Sequence, residues 1–308
     1  MTGTLFVLLA TFFWALDTLI RYPLMAAGFS AVHIVLIEHV LLVGLMSLWL
    51  TSRGLSLWAF ARRDWGPLLV IGALGSAVGT LAFTQAFSLM NPTLVILLQK
   101  LQPLVAIALA GYLLNEPISP RFLLCVLLAL FGSLLLIAED VVVLLQASQW
   151  HYRSEIVARL MGYGLALLAV VSWGASTVFG KRLSQRGYRS DQIMQGRFLT
   201  GLVALLPFML ISSAETAPIT LSAVALIGLM IVISGVVGML LYYQGLQRIA
   251  SRHSALAEMA FPVMAGVINW VFLGFALTIA QIIGAMVLIA ASVIVHQFDR
   301  PSTAVPAT

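Results

Sequence analysis

The chain has 308 residues, of which 61% are hydrophobic and 9% are charged, and its mean hydropathy is +1.06. A soluble domain carries roughly a quarter charged residues, so 16 basic and 11 acidic side chains are too few to cover a water-facing globule of this size. The composition therefore excludes a disordered chain, a soluble enzyme and a nucleic-acid-binding module, and it favours a protein embedded in lipid.

Apolar segments of helical length follow one another along the chain. A membrane-spanning helix needs about 20 apolar residues, and no segment shows the alternation, about ten residues long, of a membrane β-barrel strand. The fold class is therefore predicted as an all-α membrane protein with ten transmembrane helices. The predicted helices are 4–21, 31–51, 66–89, 94–114, 120–138, 160–180, 192–212, 220–243, 254–274 and 279–297.

The basic residues predict the orientation. With the amino terminus in the cytoplasm, twelve Lys and Arg residues fall on the inner side, while only Arg21, Arg153 and Arg159 fall on the outer side. Both termini are therefore expected in the cytoplasm of a bacterium, with the protein in the inner membrane. The first helix lacks a basic leader and is expected to be retained rather than removed as a signal peptide.

The two halves of the chain match at one constant spacing, the repeat offset, which is the distance in sequence from Trp14 to Trp173. This register predicts a first five-helix repeat at 1–138, a periplasmic connecting loop at 139–159, a second five-helix repeat at 160–297 and a cytoplasmic tail at 298–308. Because five is odd, the second repeat is expected to be inverted in the membrane, as in many secondary transporters. Other matched pairs are Gly79 with Gly238, Gln85 with Gln244, and Pro103 with Pro262.

These features resemble the EamA-type branch of the drug/metabolite transporter superfamily. The resemblance rests on the ten helices, the Trp of each first helix, the Pro of each fourth helix, and the turn LLNEPIS at 113–119. The second copy departs from that turn, since residues 272–278 lack its acidic residue. The resemblance implies a bacterial inner-membrane exporter of small metabolites, with amino-acid exporters, including YddG-like exporters of aromatic amino acids, as the nearest type.

Three charged residues lie within predicted spans. Asp17, Glu38 and Lys100 each lie about five to seven residues from the outer end of a helix, so they are expected to share one cavity, with His39 beside Glu38. Lys100 would satisfy one acid and leave the other to bind an ammonium group or a proton. The alternative is a structural salt bridge that joins the first, second and fourth helices.

Further polar and aromatic residues are candidates for the substrate site. Buried amides line a wet path or bond between helices, and deep Trp side chains form pocket walls or pack in the core. Pro103 and Pro262 are predicted as hinges, with a simple packing kink as the alternative. The predicted substrate-binding set is Trp14, Asp17, Glu38, His39, Gln99, Lys100, Gln102, Trp173, Gln244 and Trp270.

The repeat register also predicts two gates. It maps Glu38 onto Arg197 and Gln99 onto Glu258. We expect a Glu38–Lys100 contact to stabilise the outward-closed state, and an Arg197–Glu258 contact near the cytoplasmic end to stabilise the inward-closed state. In the alternative, Arg197 is an ordinary positive-inside residue with Glu258 as its local partner.

The predicted function is export of small metabolites, above all amino acids, including aromatic and other apolar ones, by alternating access. The chain lacks the motifs of ATP hydrolysis, metal binding and nucleophilic catalysis, so no enzyme activity, cofactor or metal is expected. The expected partners are a small-molecule substrate and the lipid bilayer, without nucleic acid, for a monomer or weak homodimer. The alternatives are an exporter of drugs or other cationic compounds, a lipid-headgroup translocator and an intramembrane enzyme.

Overall fold

The computed structural model describes residues 3–114, 124, 127–132, 134–136, 138, 142, 150–211, 217–218, 220–249, 254, 257–258 and 260–298. Within these ranges the chain is helical or forms turns, and no strand occurs. Six helices of the described part are long and apolar enough to cross a membrane. The all-helical membrane fold is therefore confirmed, whereas the count of ten helices in two inverted repeats stays a prediction.

The helices follow the predicted spans with shifted ends. They are α1 (Gly3–Ala26), α2 (Ala31–Ser52), α3 (Arg62–Ala86), α4 (92–114), α5 (Trp150–Gln185), α6 (Ser190–Ile211), α7 (Leu221–Arg248), α8 (Ala260–Leu273) and α9 (Ile279–Phe298). Helix α4 consists of Pro92–Leu98, a 3₁₀ turn at Gln99–Leu101 and Gln102–Leu114. The predicted helix 120–138 is described only in part, and its described residues 124, 127–132, 134–136 and 138 are helical.

Two of the shifted helix ends change the predicted position of charged residues. Helix α1 continues past Arg21 to Ala26, which places Arg21 inside the bundle rather than in an outer loop. Helix α5 begins at Trp150, inside the predicted connecting loop 139–159. The reason is the same in both cases, because a charged residue ends an apolar stretch without ending a helix. Arg21 therefore no longer counts among the basic residues of the outer side, and the buried Arg197 no longer counts among those of the inner side.

Local sequence signals set several helix boundaries. The side chains of Ser30, Asn91 and Thr220 accept backbone N–H bonds at the first turns of α2, α4 and α7. Gly28 and Gly187 follow the ends of α1 and α5 at φ values of 90° and 88°, where glycine carries no steric penalty. These two glycines are separated by the repeat offset, so α1 and α5 end at equivalent positions of the sequence repeat.

The two halves pack mainly against each other. Helix α1 lies against α7 and α8, α2 lies against α6, and α3 lies against α5 and α6. The Trp14 and Tyr242 ring centroids are 5.3 Å apart, and those of Trp173 and Phe83 are 5.0 Å apart. The repeat offset relates Trp14 to Trp173 and Phe83 to Tyr242, so the two ring pairs are equivalent. The repeat register therefore reappears in the contacts between the halves.

Different contacts join the loops at the two ends of the bundle. At the end where α2 leads into α3, the buried carboxylate of Asp64 accepts a hydrogen bond of 2.6 Å from the Tyr188 hydroxyl and pairs with Arg186. Phe60 packs on the Tyr188 ring with centroids 4.8 Å apart. At the opposite end, the backbone N–H of Ala217 donates to the carbonyl oxygen of Gly28 at 3.0 Å. The contacts at one end thus include an ion pair, and those at the other include a backbone hydrogen bond.

The close approach of α3 to α5 leads to a stability prediction. A Cβ at Gly75 would overlap the Ser176 hydroxyl, whereas a Cβ at Gly44 on α2 has nothing within 4 Å. We expect Gly75→Ala to destabilise the protein by about 1–3 kcal/mol through overpacking. Gly44→Ala should leave stability unchanged or slightly raised, since Ala favours a helix over Gly. Thermal unfolding in detergent compares the two variants, and equal melting temperatures would contradict the packing argument.

Candidate functional site

A cavity of about 150 Å³ lies between the two halves. Helices α1 to α4 of the first half and α5 to α8 of the second all contribute to it, with Glu258 just before α8. The lining residues are Trp14, Asp17, Arg21, Glu38, His39, Ser76, Thr80, Phe83, Gln99, Gln102, Trp173, Ser176, Thr177, Arg197, Phe198, Ser234, Gly235, Met239, Tyr242, Glu258 and Phe261. A cavity with apolar walls and a few convergent polar groups is the usual form of a small-molecule site.

Arg21 joins two of the buried acids. Its Nε and Nη2 atoms donate to the carboxylate of Asp17 at 2.6 and 3.1 Å, and Nη2 also donates to Glu38 Oε2 at 3.0 Å. Thr84 accepts from Nη1 at 3.1 Å, and Ser234 donates to Asp17 at 2.7 Å. All three charged side chains are buried. Each carboxylate of this triad therefore has a fixed cationic partner, which is the condition for keeping a charge in lipid.

His39 is held on the same side of the cavity by two hydrogen bonds. Its Nδ1 donates to the carbonyl oxygen of Val35 at 2.8 Å, and its Nε2 lies 2.9 Å from the hydroxyl of Ser76. Because Nδ1 is the donor to the carbonyl, Nε2 of the neutral ring accepts from Ser76. Ser76 lies in the π-helical stretch Val70–Val78, and Ser234 lies in the second such stretch, Ile231–Gly238. Both π-helical stretches thus place a hydroxyl in the cavity.

Arg197 is a buried cation without an ion-paired acid among the described residues. Its Nη1 donates a long hydrogen bond of 3.4 Å to the hydroxyl of Tyr243, and its Nε has no hydrogen-bond partner in the described part of the chain. The residue is 8% exposed. Buried polar atoms normally have partners, so this guanidinium retains unused capacity to bind an anionic group that enters the cavity.

Glu258 is held by neutral donors. Gln102 donates to it at 2.6 Å and Ser254 at 3.1 Å, while the Thr177 hydroxyl, which donates to the carbonyl oxygen of Trp173 at 3.1 Å, lies 3.5 Å from the carboxylate. Among the described side chains, none of the ion pairs involves Glu258. The carboxylate is thus positioned by hydrogen bonds, while no described base lies within ion-pair distance of it. It is the natural place in this cavity for an incoming cation or proton.

Aromatic side chains form the remaining walls. Trp14 lies against Tyr242, and Trp173 lies against Phe83. The indole Nε1 of Trp173 donates to the carbonyl oxygen of Gly75 at 2.9 Å, so the ring is held by a backbone group of the first π-helical stretch. The cavity therefore offers flat apolar surfaces next to its charged groups.

The structure gathers most of the predicted site residues in one place. Asp17 and Glu38, which were expected in the outer half, line this cavity. Arg197 and Glu258, which were expected near the cytoplasmic end, line the same cavity. The predicted depths of these residues in the membrane stay predictions, and the cavity brings both groups of residues together. The residues from the prediction that line the cavity are Trp14, Asp17, Glu38, His39, Gln99, Gln102, Trp173, Arg197 and Glu258.

Four predictions either differ from the structure, stay untested or concern side chains that the structure does not describe. Glu38 pairs with Arg21, and the side chain of Lys100 lies outside the described side chains, as do the rings of Pro103 and Pro262. Arg197 and Glu258 form no ion pair in this structure, so their role as a gate stays a prediction. In the backbone, the 3₁₀ turn Gln99–Leu101 comes directly before the Gln102–Leu114 segment that contains Pro103.

Two predicted substrate-binding residues do not reach the cavity. Trp270 is 63% exposed on the outer face of α8, because the adjacent Asn269 is turned inward and accepts a hydrogen bond of 2.9 Å from Thr18. Gln244 is half-buried on α7, where its backbone carbonyl accepts from Arg248. Neighbouring positions of a helix point about 100° apart, so hydropathy alone did not distinguish the two faces.

The sequence reasoning missed Arg21, although a signal was present. Arg21 is four residues after Asp17, the spacing at which side chains on a helix meet, and it pairs with that acid. The small hydroxyl residues Ser76, Ser176, Thr177 and Ser234 carried no distinguishing signal, since such residues are common in packed membrane helices.

Comparisons with known proteins agree on the kind of protein. The model of the EamA-like transporter family matches the chain twice, at residues 1–138 and 160–296. The riboflavin transporter ImpX of Fusobacterium nucleatum subsp. nucleatum is 30% identical over 301 residues, which cover 93% of this chain and 95% of the relative. A crystal structure with 18% identity covers 98% of this chain and 99% of its own, with a TM-score of 0.65, and that likeness concerns the fold alone.

Proposed function

Because the chain belongs to the EamA-like transporter family, we propose that this integral membrane protein exports small zwitterionic metabolites, chiefly amino acids with apolar or aromatic side chains. Family membership and the transporter relative indicate a transporter rather than an enzyme. The proposed site is the cavity between the halves, and the proposed location is the bacterial inner membrane with both termini in the cytoplasm.

The observation that carries the substrate class is the presence of Arg197 and Glu258 in one cavity. An amino acid has a carboxylate and an ammonium group on adjacent atoms, and it needs one binding group of each sign. Arg197 has donor capacity that the described residues do not use, and Glu258 has a charge that no described base pairs with directly. Asp17, Arg21 and Glu38 largely satisfy one another and would shape the site rather than bind the charged groups.

The aromatic walls fit the rest of such a molecule. Trp14, Phe83, Trp173 and Tyr242 surround the cavity with ring surfaces, which favour apolar and aromatic side chains over polar ones. The Arg197 guanidinium speaks against a cationic drug as the main substrate, because a base in the site repels a ligand that carries only positive charge.

Alternating access would arise from movement of the two halves relative to each other. Their main contacts run between helices of opposite halves, and equivalent residue pairs recur at the repeat offset. Two inverted copies of one unit reach outward-open and inward-open states of similar energy by exchanging their roles. In the proposed cycle, rocking of one repeat against the other exposes the cavity first to one side of the membrane and then to the other.

A flavin is the second candidate substrate. The relative that is 30% identical is named a riboflavin transporter, and the paired aromatic rings would accept a flat heterocycle. The amide nitrogen of Gln99 and the hydroxyl of Ser176 are buried without described partners, so they would serve the hydroxyl and carbonyl groups of such a molecule. Riboflavin carries no charge at neutral pH, however, and it would leave Arg197 and Glu258 unused.

A counterflow experiment separates the candidates. Purified protein in sealed liposomes would be preloaded with unlabelled L-phenylalanine, riboflavin or ethidium, and uptake of the same labelled compound would be measured. We expect exchange of phenylalanine well above that of protein-free liposomes. Exchange of riboflavin alone would replace the amino-acid proposal by the flavin one, exchange of ethidium alone would contradict both, and exchange of none would contradict transport of these classes.

A further inference from the structure

We propose that Glu258 is the proton-coupling site, and that it binds a proton when the site is empty and exchanges this proton for the ammonium group of the substrate. This inference rests on the proposed function and adds the driving ion to it. It would make the protein an antiporter, in which each exported zwitterion is replaced by one inward-moving proton.

The first argument is the environment of Glu258. The residue is 9% exposed, its carboxylate accepts from the amide of Gln102 and the hydroxyl of Ser254, and the Thr177 hydroxyl lies 3.5 Å away. Tyr242 donates in turn to Thr177 at 3.3 Å. A buried carboxylate whose hydrogen-bond partners are all neutral is costly, and it is relieved by a cation or by a proton.

The second argument is the charge of the whole cavity. Its described lining contains the acids Asp17, Glu38 and Glu258 and the bases Arg21 and Arg197, so the described charges sum to minus one. Arg21 pairs with both of the first two acids, and Arg197 makes no ion pair with any of the three acids among the described residues. Among the described lining residues, Glu258 is then the acid that no base pairs with, and a proton would neutralise it when the site is empty.

The other ionisable groups around Glu258 do not take over this role. Helix α6 contributes Arg197 and α7 contributes Tyr242, while α1 and α2 contribute the triad and His39. The described lining residues of α3, α4 and α5 are uncharged. His39 uses both ring nitrogens in hydrogen bonds to Val35 and Ser76, and the Tyr242 hydroxyl bonds to Thr177. Among these described groups, Glu258 is therefore the one whose charge is available to be neutralised by either a proton or an ammonium group.

Competition for one carboxylate couples the two movements. On the cytoplasmic side the substrate ammonium would displace the proton from Glu258 while Arg197 binds the carboxylate. On the outer side the substrate would leave, and a proton would neutralise Glu258 before the empty carrier returns. Ammonium and proton cannot occupy the carboxylate together, so a carrier that changes state only when one of them neutralises Glu258 exchanges the one for the other.

The rival arrangement keeps the proton out of the cycle. If Arg197 pairs with Glu258 in the empty carrier, as a gate between them would require, then the two residues neutralise each other. Substrate binding would then break an ion pair and release no proton. The number of protons released per substrate bound therefore distinguishes the two arrangements.

The test is calorimetric titration of the purified full-length protein with L-phenylalanine in two buffers of different ionisation enthalpy. Between about pH 6 and pH 8, where buffers of both kinds are available, we expect the wild type to release up to one proton per bound phenylalanine. Glu258→Gln should bind more weakly and release none at saturating phenylalanine, while the exposed control Glu155→Gln should behave as the wild type.

The outcomes separate this inference from the function on which it rests. Binding by the wild type without proton release would overturn the coupling role and leave amino-acid transport standing. Equal proton release by Glu258→Gln and the wild type would also overturn it, because the proton would come from another group. Absence of both binding and counterflow would contradict the proposed function, and the coupling role would fall with it.

Discussion

Replacing Arg21 by methionine is expected to destabilise the protein by about 3–5 kcal/mol, the usual cost of removing one partner from a buried ion pair. The substitution leaves Asp17 and Glu38 buried in one cavity without their cation. Since a membrane protein of this kind has little stability to lose, the expected result is a sharp fall in the yield of monodisperse protein. Size-exclusion chromatography of a fluorescent fusion and thermal unfolding in detergent measure it.

Two further variants make this result specific to the triad. Arg63→Met removes an exposed arginine whose contact with Asp64 is 4.0 Å long, and it should leave the melting temperature nearly unchanged. The triple substitution Asp17→Asn, Arg21→Met and Glu38→Gln removes all three charges and should recover much of the lost stability. A stable Arg21→Met variant, or no recovery in the triple variant, would argue that the triad is not what keeps these acids in the bundle.

The second large effect is expected at Arg197. Changing it to glutamine should weaken binding of L-phenylalanine by about 1.5–3 kcal/mol, the range for hydrogen bonds to charged groups, which corresponds to about 10–150-fold in affinity. Stability should change little, because the side chain makes one long hydrogen bond to Tyr243 among the described residues. Arg197→Lys should recover part of the affinity, since it keeps the charge and loses the planar fork.

Concentration-dependent counterflow gives the apparent affinity of each variant. Arg182→Gln serves as the control, because this arginine lies in the last turn of α5 and does not line the cavity. If Arg197→Gln binds phenylalanine as tightly as the wild type, the carboxylate is bound elsewhere and the zwitterion argument loses its basis.

The sequence-based predictions of the fold and the site depended mainly on hydropathy. It reports whether a segment can lie in lipid, so the helical membrane fold and most helix positions followed from composition. It does not report the rotation or axial displacement of a helix, so Trp270 was assigned to the site although it lies on the outside. Nor did hydropathy show that Asp17 and Glu258, which were predicted in opposite halves of the membrane, line one cavity.

Other features of the site depend on contacts that no single segment encodes. The π-helical stretch Val70–Val78 gives Trp173 a carbonyl to bind and brings Ser76 to His39, and such stretches have no compositional signal. Arg21 differs, because its spacing from Asp17 was visible in the sequence. Its charge was counted as a marker of the membrane surface, and a test of helical spacing against each buried acid would have identified it.

The two bundle ends are held by different contacts, and this difference has a consequence for the proposed cycle, in which each end opens in turn. Asp64 and Arg186 hold one end by charge, with the arginine side chain 28% exposed, whereas Ala217 and Gly28 hold the other by a backbone hydrogen bond. Because the Asp64 carboxylate is buried, dissolved ions screen the first contact only weakly, and they leave the backbone bond nearly untouched. The balance between the two open states would therefore change little with the salt content of either compartment, although one end is held by an ion pair and the other is not.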